Sequence, residues 1–131
     1  MLTEKLGDTG KKIHTARSRN DQVLVALQLY YKENLGIVKR KTQTLFETLL
    51  GLADRYKDKV LPGYTHLQVA MPSSFGLWFS AYAEVLIDYV YLLNAALKTV
   101  DQNPLGSAAG YGSSFPIDRE LTTKDMNFST L

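Results

Sequence analysis

Leucine, valine and tyrosine, with one threonine among them, recur at steps of three and four through Leu24, Leu27, Tyr31, Leu35, Val38, Thr42, Leu45, Leu49, Leu52 and Tyr56. That spacing places them on one stripe of a long helix. The step from Tyr31 to Leu35 interrupts a strict heptad and relaxes any left-handed supercoil there. Gly36, inside the run, costs roughly 1 kcal/mol against alanine, which so long a stripe absorbs. Upstream, Ser18-Arg19-Asn20-Asp21 sets a serine three residues before an aspartate. At that spacing a cap hydroxyl and a carboxylate satisfy backbone N–H groups left open at a helix start. The pattern predicts a helix over 18–58, closed by the cations Lys57 and Lys59 and by Pro62, which cannot continue it. At about 1.5 Å per residue, a run from Asn20 to Lys57 spans close to 55 Å, the length of a stalk or a long bundle.

A second apolar run predicts a helix over 73–101, opened by Pro72-Ser73-Ser74 with proline in the first turn and serine as cap. Phe75, Trp78, Phe79, Tyr82, Val85, Leu86, Tyr89, Leu92, Leu93, Leu97 and Val100 point nearly all ways round. Only Ser80, Glu84, Asp88, Asn94 and Lys98 interrupt them, mostly on one narrow strip. A helix apolar all round is buried on most sides, and one partner helix does not suffice for that. Glu84 and Asp88 near its middle argue against lipid, so the covering surface is expected to be other helices.

The remaining segments are punctuated by glycine, proline and serine. Residues 1–17 are polar and without period, a lead-in. Residues 59–72 form a Pro- and Gly-bounded joint between the two helices. Residues 102–121 hold NPLGSAAGYGSSFP and read as a compact Gly/Ser-rich loop, with a third helix starting over 122–131. The glycine spacing fits neither a dinucleotide fingerprint nor a P-loop. The expected fold class is all-α, in one domain or a piece of one.

Composition narrows the chemistry. The chain has 131 residues, 45% hydrophobic and 21% charged, and a formal charge of +2. With acids and bases mixed along it, no basic face argues for nucleic acid or an anionic membrane. No cysteine and only two histidines, His14 and His66, leave no disulfide framework or thiolate metal site, and no metal is expected. The N-terminus carries charges with no apolar run behind them, unlike a secretory signal, so the cytoplasm is the default compartment.

Two clusters could carry chemistry. In HTARSRNDQ, residues 14–22, Arg17, Ser18, Arg19 and Asn20 crowd a helix N-terminus, where free N–H groups and the dipole favour an anion. The same residues also fit a capped helix with solvated arginines. In LPGYTHLQ, residues 61–68, Thr65 offers a hydroxyl and His66 an imidazole whose ordinary pKa lies near neutrality. A lone histidine in a turn is equally a structural residue, and neither cluster decides by itself.

Together, HTARSRNDQ, LPGYTHLQ and NPLGSAAGYGSSFPIDRE occur in the order and spacing of the argininosuccinate lyases, which the chain resembles from about residue 2 to residue 131. These belong to the fumarase and aspartase superfamily. Fumarases carry Ser-Ser-Asn-Asp where this chain has Ser18-Arg19-Asn20-Asp21, and adenylosuccinate lyases a different block. Ala16 stands where many members have glycine. The resemblance implies long antiparallel helices in a central helical bundle. It also implies a homotetramer with active sites shared between subunits, and a β-elimination of argininosuccinate to fumarate and arginine without metal or organic cofactor. Carried over, Ser18, Arg19, Asn20 and Thr65 would bind substrate carboxylates and His66 would be the acid-base residue.

The family's mobile loop, Gly-Ser-Ser-x-Met-Pro-x-Lys-x-Asn-Pro, carries its catalytic serine. Gly112-Ser113-Ser114-Phe115-Pro116 imitates only its beginning, with no Met, Lys or Asn-Pro following. The chain is therefore expected to be an internal fragment of a longer lyase, inactive alone. Two alternatives stand beside this reading: a sister lyase such as fumarase or adenylosuccinate lyase, and a structural helical protein, since relatives of this fold serve as lens crystallins.

Overall fold

The longest element is a single helix, α3, Arg19–Arg55, of 37 residues, about 55 Å long by the ordinary rise. Two short helices precede it, α1 (Leu2–Leu6) and α2 (Asp8–Lys12), and a two-stranded antiparallel sheet follows, β1 (Val60–Thr65) and β2 (Gln68–Ser74). Then come α4 (Phe75–Val100) and α5 (Arg119–Asp125). The computed structural model describes residues 1–109 and 111–131; Gly110, within the loop expected over 102–121, lies outside the described residues. The chain divides into two units, Met1–Lys32 with Lys98–Leu131, and Glu33–Leu97.

In the second unit the later part of α3 lies antiparallel to α4. Lys39 Nζ donates to Asn94 Oδ1 at 2.8 Å, and at the other end Gly76 meets Ala53 and Lys57. A Cβ on Gly76 would stand 2.7 Å from Lys57 Cα, so the missing side chain is what lets the helices approach. Between these points Thr42, Phe46, Leu86 and Val90 line a shallow apolar groove. Around the start of α4, Trp78 packs edge-on against both Phe79 and Tyr82, with centroids 5.0 and 5.1 Å apart.

The first unit is organised by polar groups. Lys32 Nζ pairs with Asp101 Oδ1 at 2.6 Å, donates to the Asn127 carbonyl and lies 5.5 Å from the Phe128 ring centroid. Asp101 also accepts from Ser129 N and Ser129 Oγ. Asn103, 2% exposed, donates from Nδ2 to the hydroxyls of Thr122 and Thr123 and accepts from Leu105 N. The Arg119 guanidinium donates to the carbonyls of Leu105 and Asn103. The loop that composition marked as a connector is thus tied down at its start by one buried amide.

The helix-rich expectation holds, with four local corrections. The lead-in 1–17 contains α1 and α2, whose five-residue lengths give no period to detect. The joint over 59–72 is a β-hairpin, with Pro62 opposite Pro72; proline therefore does not open α4. Ser74 alone caps that helix, accepting from Leu77 N at 3.1 Å. The third helix begins at Arg119 and ends at Asp125; the Asp118 carboxylate caps it by accepting from Leu121 N at 2.8 Å. Finally, the expected α3 stripe is largely exposed at Leu24, Leu27, Tyr31, Val38 and Leu45, while Val25 and Ala53 on adjoining positions are buried. Among the described residues the buried apolar side chains are Val25, Ala53, Ala83 and Phe128, a small core for so much apolar sequence. Among them, too, no helix is long and apolar enough to cross a membrane.

Candidate active site

The first cluster is built by the start of α3. Ser18 is its cap: Ser18 Oγ accepts from Asn20 N at 3.1 Å, and Asp21 Oδ2 accepts from Ser18 N at 3.2 Å. This is a reciprocal pairing of the kind the Ser-x-x-Asp spacing predicts. The Asp21 carboxylate is buried, so the positive end of α3 already holds one internal anion. What remains for a ligand is outward-facing: the guanidinium of Arg19 and the amide of Asn20, both exposed and without hydrogen-bond partners among the described residues. Ser18 keeps its hydroxyl proton free to donate, because the cap uses the oxygen as acceptor. Arg17, by contrast, turns back to the Ile13 carbonyl, and its Nε is buried without a partner. Ala16 has φ 53, a left-handed conformation that glycine adopts freely and alanine does not.

The second cluster belongs to the other unit and sits on the hairpin. Thr65 and Gln68 are the last paired residues, and His66-Leu67 is the two-residue turn. Both central residues have positive φ, 49 at His66 and 64 at Leu67, the pattern of a type I′ turn. An L-residue in that region is disfavoured by about 1–2 kcal/mol, and here two stand side by side. A bulge between Gly63 and Tyr64 shifts the register just before the turn. At Gly63 a Cβ would lie 2.8 Å from the Met71 carbonyl oxygen, so only glycine fits that approach. The hydroxyl of Thr65 and the imidazole of His66 are exposed and free of partners among the described residues.

At the hairpin's root, Leu61, Pro62, Tyr64, Ser73, Phe75 and Trp78 line an open cavity. Thr65 and His66 do not line it. The five expected residues thus fall in two sets, Ser18, Arg19 and Asn20 in one unit and Thr65 and His66 in the other. Each set offers hydrogen-bond donors, and the second adds a titratable group. Among the described residues no cluster of three or more His, Cys, Asp or Glu side chains is placed to hold a metal ion. The sequence reading did not single out Lys32 or Asn103 as organising groups. Neither carries a local signal, since their partners lie 69 and 19 residues away.

Comparison with known proteins bears on what these sets serve. Argininosuccinate lyase of Phocaeicola vulgatus is 60% identical over 131 residues, 100% of this chain and 29% of its own length. That of Parabacteroides distasonis is 57% identical over the same 131 residues, again 29% of its length. The chain therefore spans less than a third of the length of these curated relatives. Among solved structures, EDDS lyase in complex with formate superimposes with a TM-score of 0.94 at 25% identity, covering 98% of this chain and 26% of that one. The long-helix architecture is common to both. A family model described as Lyase matches residues 1–131 without a gap at either end, and the chain belongs to that family.

Proposed function

We propose that this chain is part of an argininosuccinate lyase, which cleaves argininosuccinate to fumarate and arginine in arginine biosynthesis. The observation that supports this most is identity of 60% across every residue of the chain, both clusters included. The reaction breaks a C–N bond by β-elimination. A base removes the proton from the carbon beside a carboxylate, and the electron pair spreads into that carboxylate. The pair then forms the C=C bond of fumarate as the guanidino nitrogen leaves and is protonated.

Each cluster suits one part of this. Charge accumulates on the carboxylate in the transition state, so donors fixed before the reaction lower the barrier most. The Arg19 guanidinium, the Asn20 amide and the Ser18 hydroxyl are donors of the right kind, carried on a helix start whose backbone the Ser18–Asp21 cap fixes. Thr65 supplies a further hydroxyl, and His66 the acid-base group, whose type of side chain exchanges protons near neutrality. The two sets belong to different units of the chain, and in this reading they act in a homotetramer whose sites are shared between subunits. Apolar side chains exposed on α4, Tyr89 and Leu92 among them, leave surface available for contacts with further helices. The enzyme is placed in the cytoplasm.

The test uses the full-length protein incubated with argininosuccinate, with fumarate followed by its ultraviolet absorbance. Turnover is expected, and His66→Asn should lower kcat by about 10²–10⁴-fold while leaving assembly intact. An intact protein that releases no fumarate would overturn the reading and favour a structural role. A His66→Asn variant with wild-type turnover would overturn the assignment of the histidine.

A further inference from the structure

The two ends of the hairpin are paired in different registers. Phe75 N donates to the Lys59 carbonyl at 3.0 Å, so these two residues occupy a hydrogen-bonded position at the hairpin's root. Such positions alternate along an antiparallel ladder with ones that exchange no hydrogen bond. By that alternation Leu61 opposite Ser73 and Gly63 opposite Met71 are bonded pairs, and Pro62 opposite Pro72 is not. Two residues that have no N–H thus stand where none is needed, which pins the register at the root. Continued without a break, it would set Tyr64 opposite Ala70 and Thr65 opposite Val69, leaving a three-residue loop from His66 to Gln68. Instead Tyr64 pairs with Val69 and Thr65 with Gln68, and Ala70 is the residue the pairing skips. The bulge therefore shortens the loop to His66 and Leu67. A three-residue loop is usually built on a type I turn, which gives its first residue a negative φ. In the two-residue loop His66 has φ 49. The change of sign swings the side chain, so the bulge decides where the imidazole points, as bulges beside active sites do.

We propose that Gly63 is a positioning residue for His66, an inference that rests on the acid-base reading of that histidine. A Cβ at Gly63 would stand 2.8 Å from the Met71 carbonyl oxygen, on the strand that carries the extra residue. Glycine is what lets that strand close in at the bulge. The hairpin has its one glycine there and none in the turn, where glycine would ease the positive φ of Leu67. Its register, and not its turn residues, holds His66 in the left-handed region.

The experiment follows argininosuccinate cleavage by the full-length protein in three variants: Gly63→Ala, Gly63→Ala with Ala70 deleted, and His66→Asn. Deleting Ala70 keeps the prolines opposite one another and the loop at two residues with no bulge, so a methyl at position 63 is accommodated. Gly63→Ala should lower kcat by about 10–100-fold, as a misplaced reacting group does, with KM within about twofold. The added deletion should restore most of kcat. Wild-type kcat in Gly63→Ala, or a change confined to KM, with His66→Asn inactive, overturns this inference alone; an active His66→Asn overturns the reading beneath it. If Gly63→Ala does not fold, the deletion variant carries the test, and recovery of a folded, active protein supports the assignment. A deletion variant that stays unfolded or inactive overturns it in either case.

Discussion

Replacing Asp101 with asparagine tests the polar organisation of the first unit. Asp101 accepts from Lys32 Nζ at 2.6 Å, from Ser129 N at 3.1 Å and from Ser129 Oγ at 2.5 Å. The Lys32 and Asp101 side chains are 27% and 22% exposed, so the pair is neither a solvated surface contact nor fully desolvated. Asparagine keeps one acceptor oxygen and loses the charge. A hydrogen bond to a charged group contributes about 1.5–3 kcal/mol and an exposed ion pair about 0.2–1 kcal/mol, so Asp101→Asn should cost about 2 kcal/mol at pH 7. For a chain of this size that lowers Tm by roughly 6–10 °C, read by circular dichroism.

The pH dependence fixes the sign. Burial pushes the Asp101 carboxyl upward, but hydrogen bonds from Lys32 and Ser129 and the Lys32 charge outweigh it and hold the group below its ordinary 3.8. A carboxylate depressed by folding stabilises above its unfolded value and loses that contribution as pH falls through the folded value. Asparagine does not titrate. The gap between wild type and Asp101→Asn should therefore be constant near neutrality and close only below 3.8. Equal Tm values at pH 7, or a gap undiminished in acid, would refute the argument.

Three further substitutions probe the helix ends. Ser18→Ala removes the acceptor for Asn20 N and should destabilise the chain by about 0.5–2 kcal/mol in urea titrations, while weakening substrate binding in the full-length protein. Gly76→Ala puts a methyl 2.7 Å from Lys57 Cα; forcing α3 and α4 apart should cost about 1–3 kcal/mol by the same assay. Ala16→Gly relieves a φ of 53 and should be stabilising by up to about 1 kcal/mol, a reversal of the usual penalty for glycine that denaturation would reveal directly.

The two long helices were legible because their signals are local: an apolar repeat, a Ser-x-x-Asp cap at the start and lysines just beyond the end specify α3. The hairpin was not legible. Its turn is His-Leu in place of Asn-Gly, and Pro62 read as a helix stop and Pro72 as a helix start although they face one another across two strands. The five candidate site residues were found through motif resemblance, and the geometry added which of their groups are already used. Ser18 has its oxygen committed to the cap, whereas Arg19, Asn20, Thr65 and His66 have side chains free to meet a ligand among the described residues.

By itself, then, the sequence determined the helical period, the capped start of α3 and the residue types available for acid-base and carboxylate-binding work, because each is read from residues a few positions apart. Tertiary structure alone decided that Lys32 meets Asp101, that Asn103 gathers Thr122 and Thr123, and that His66 stands on a left-handed turn. The contacts join residues far apart in the chain, and the turn runs against local preference, so both exist only once the packed whole makes them favourable.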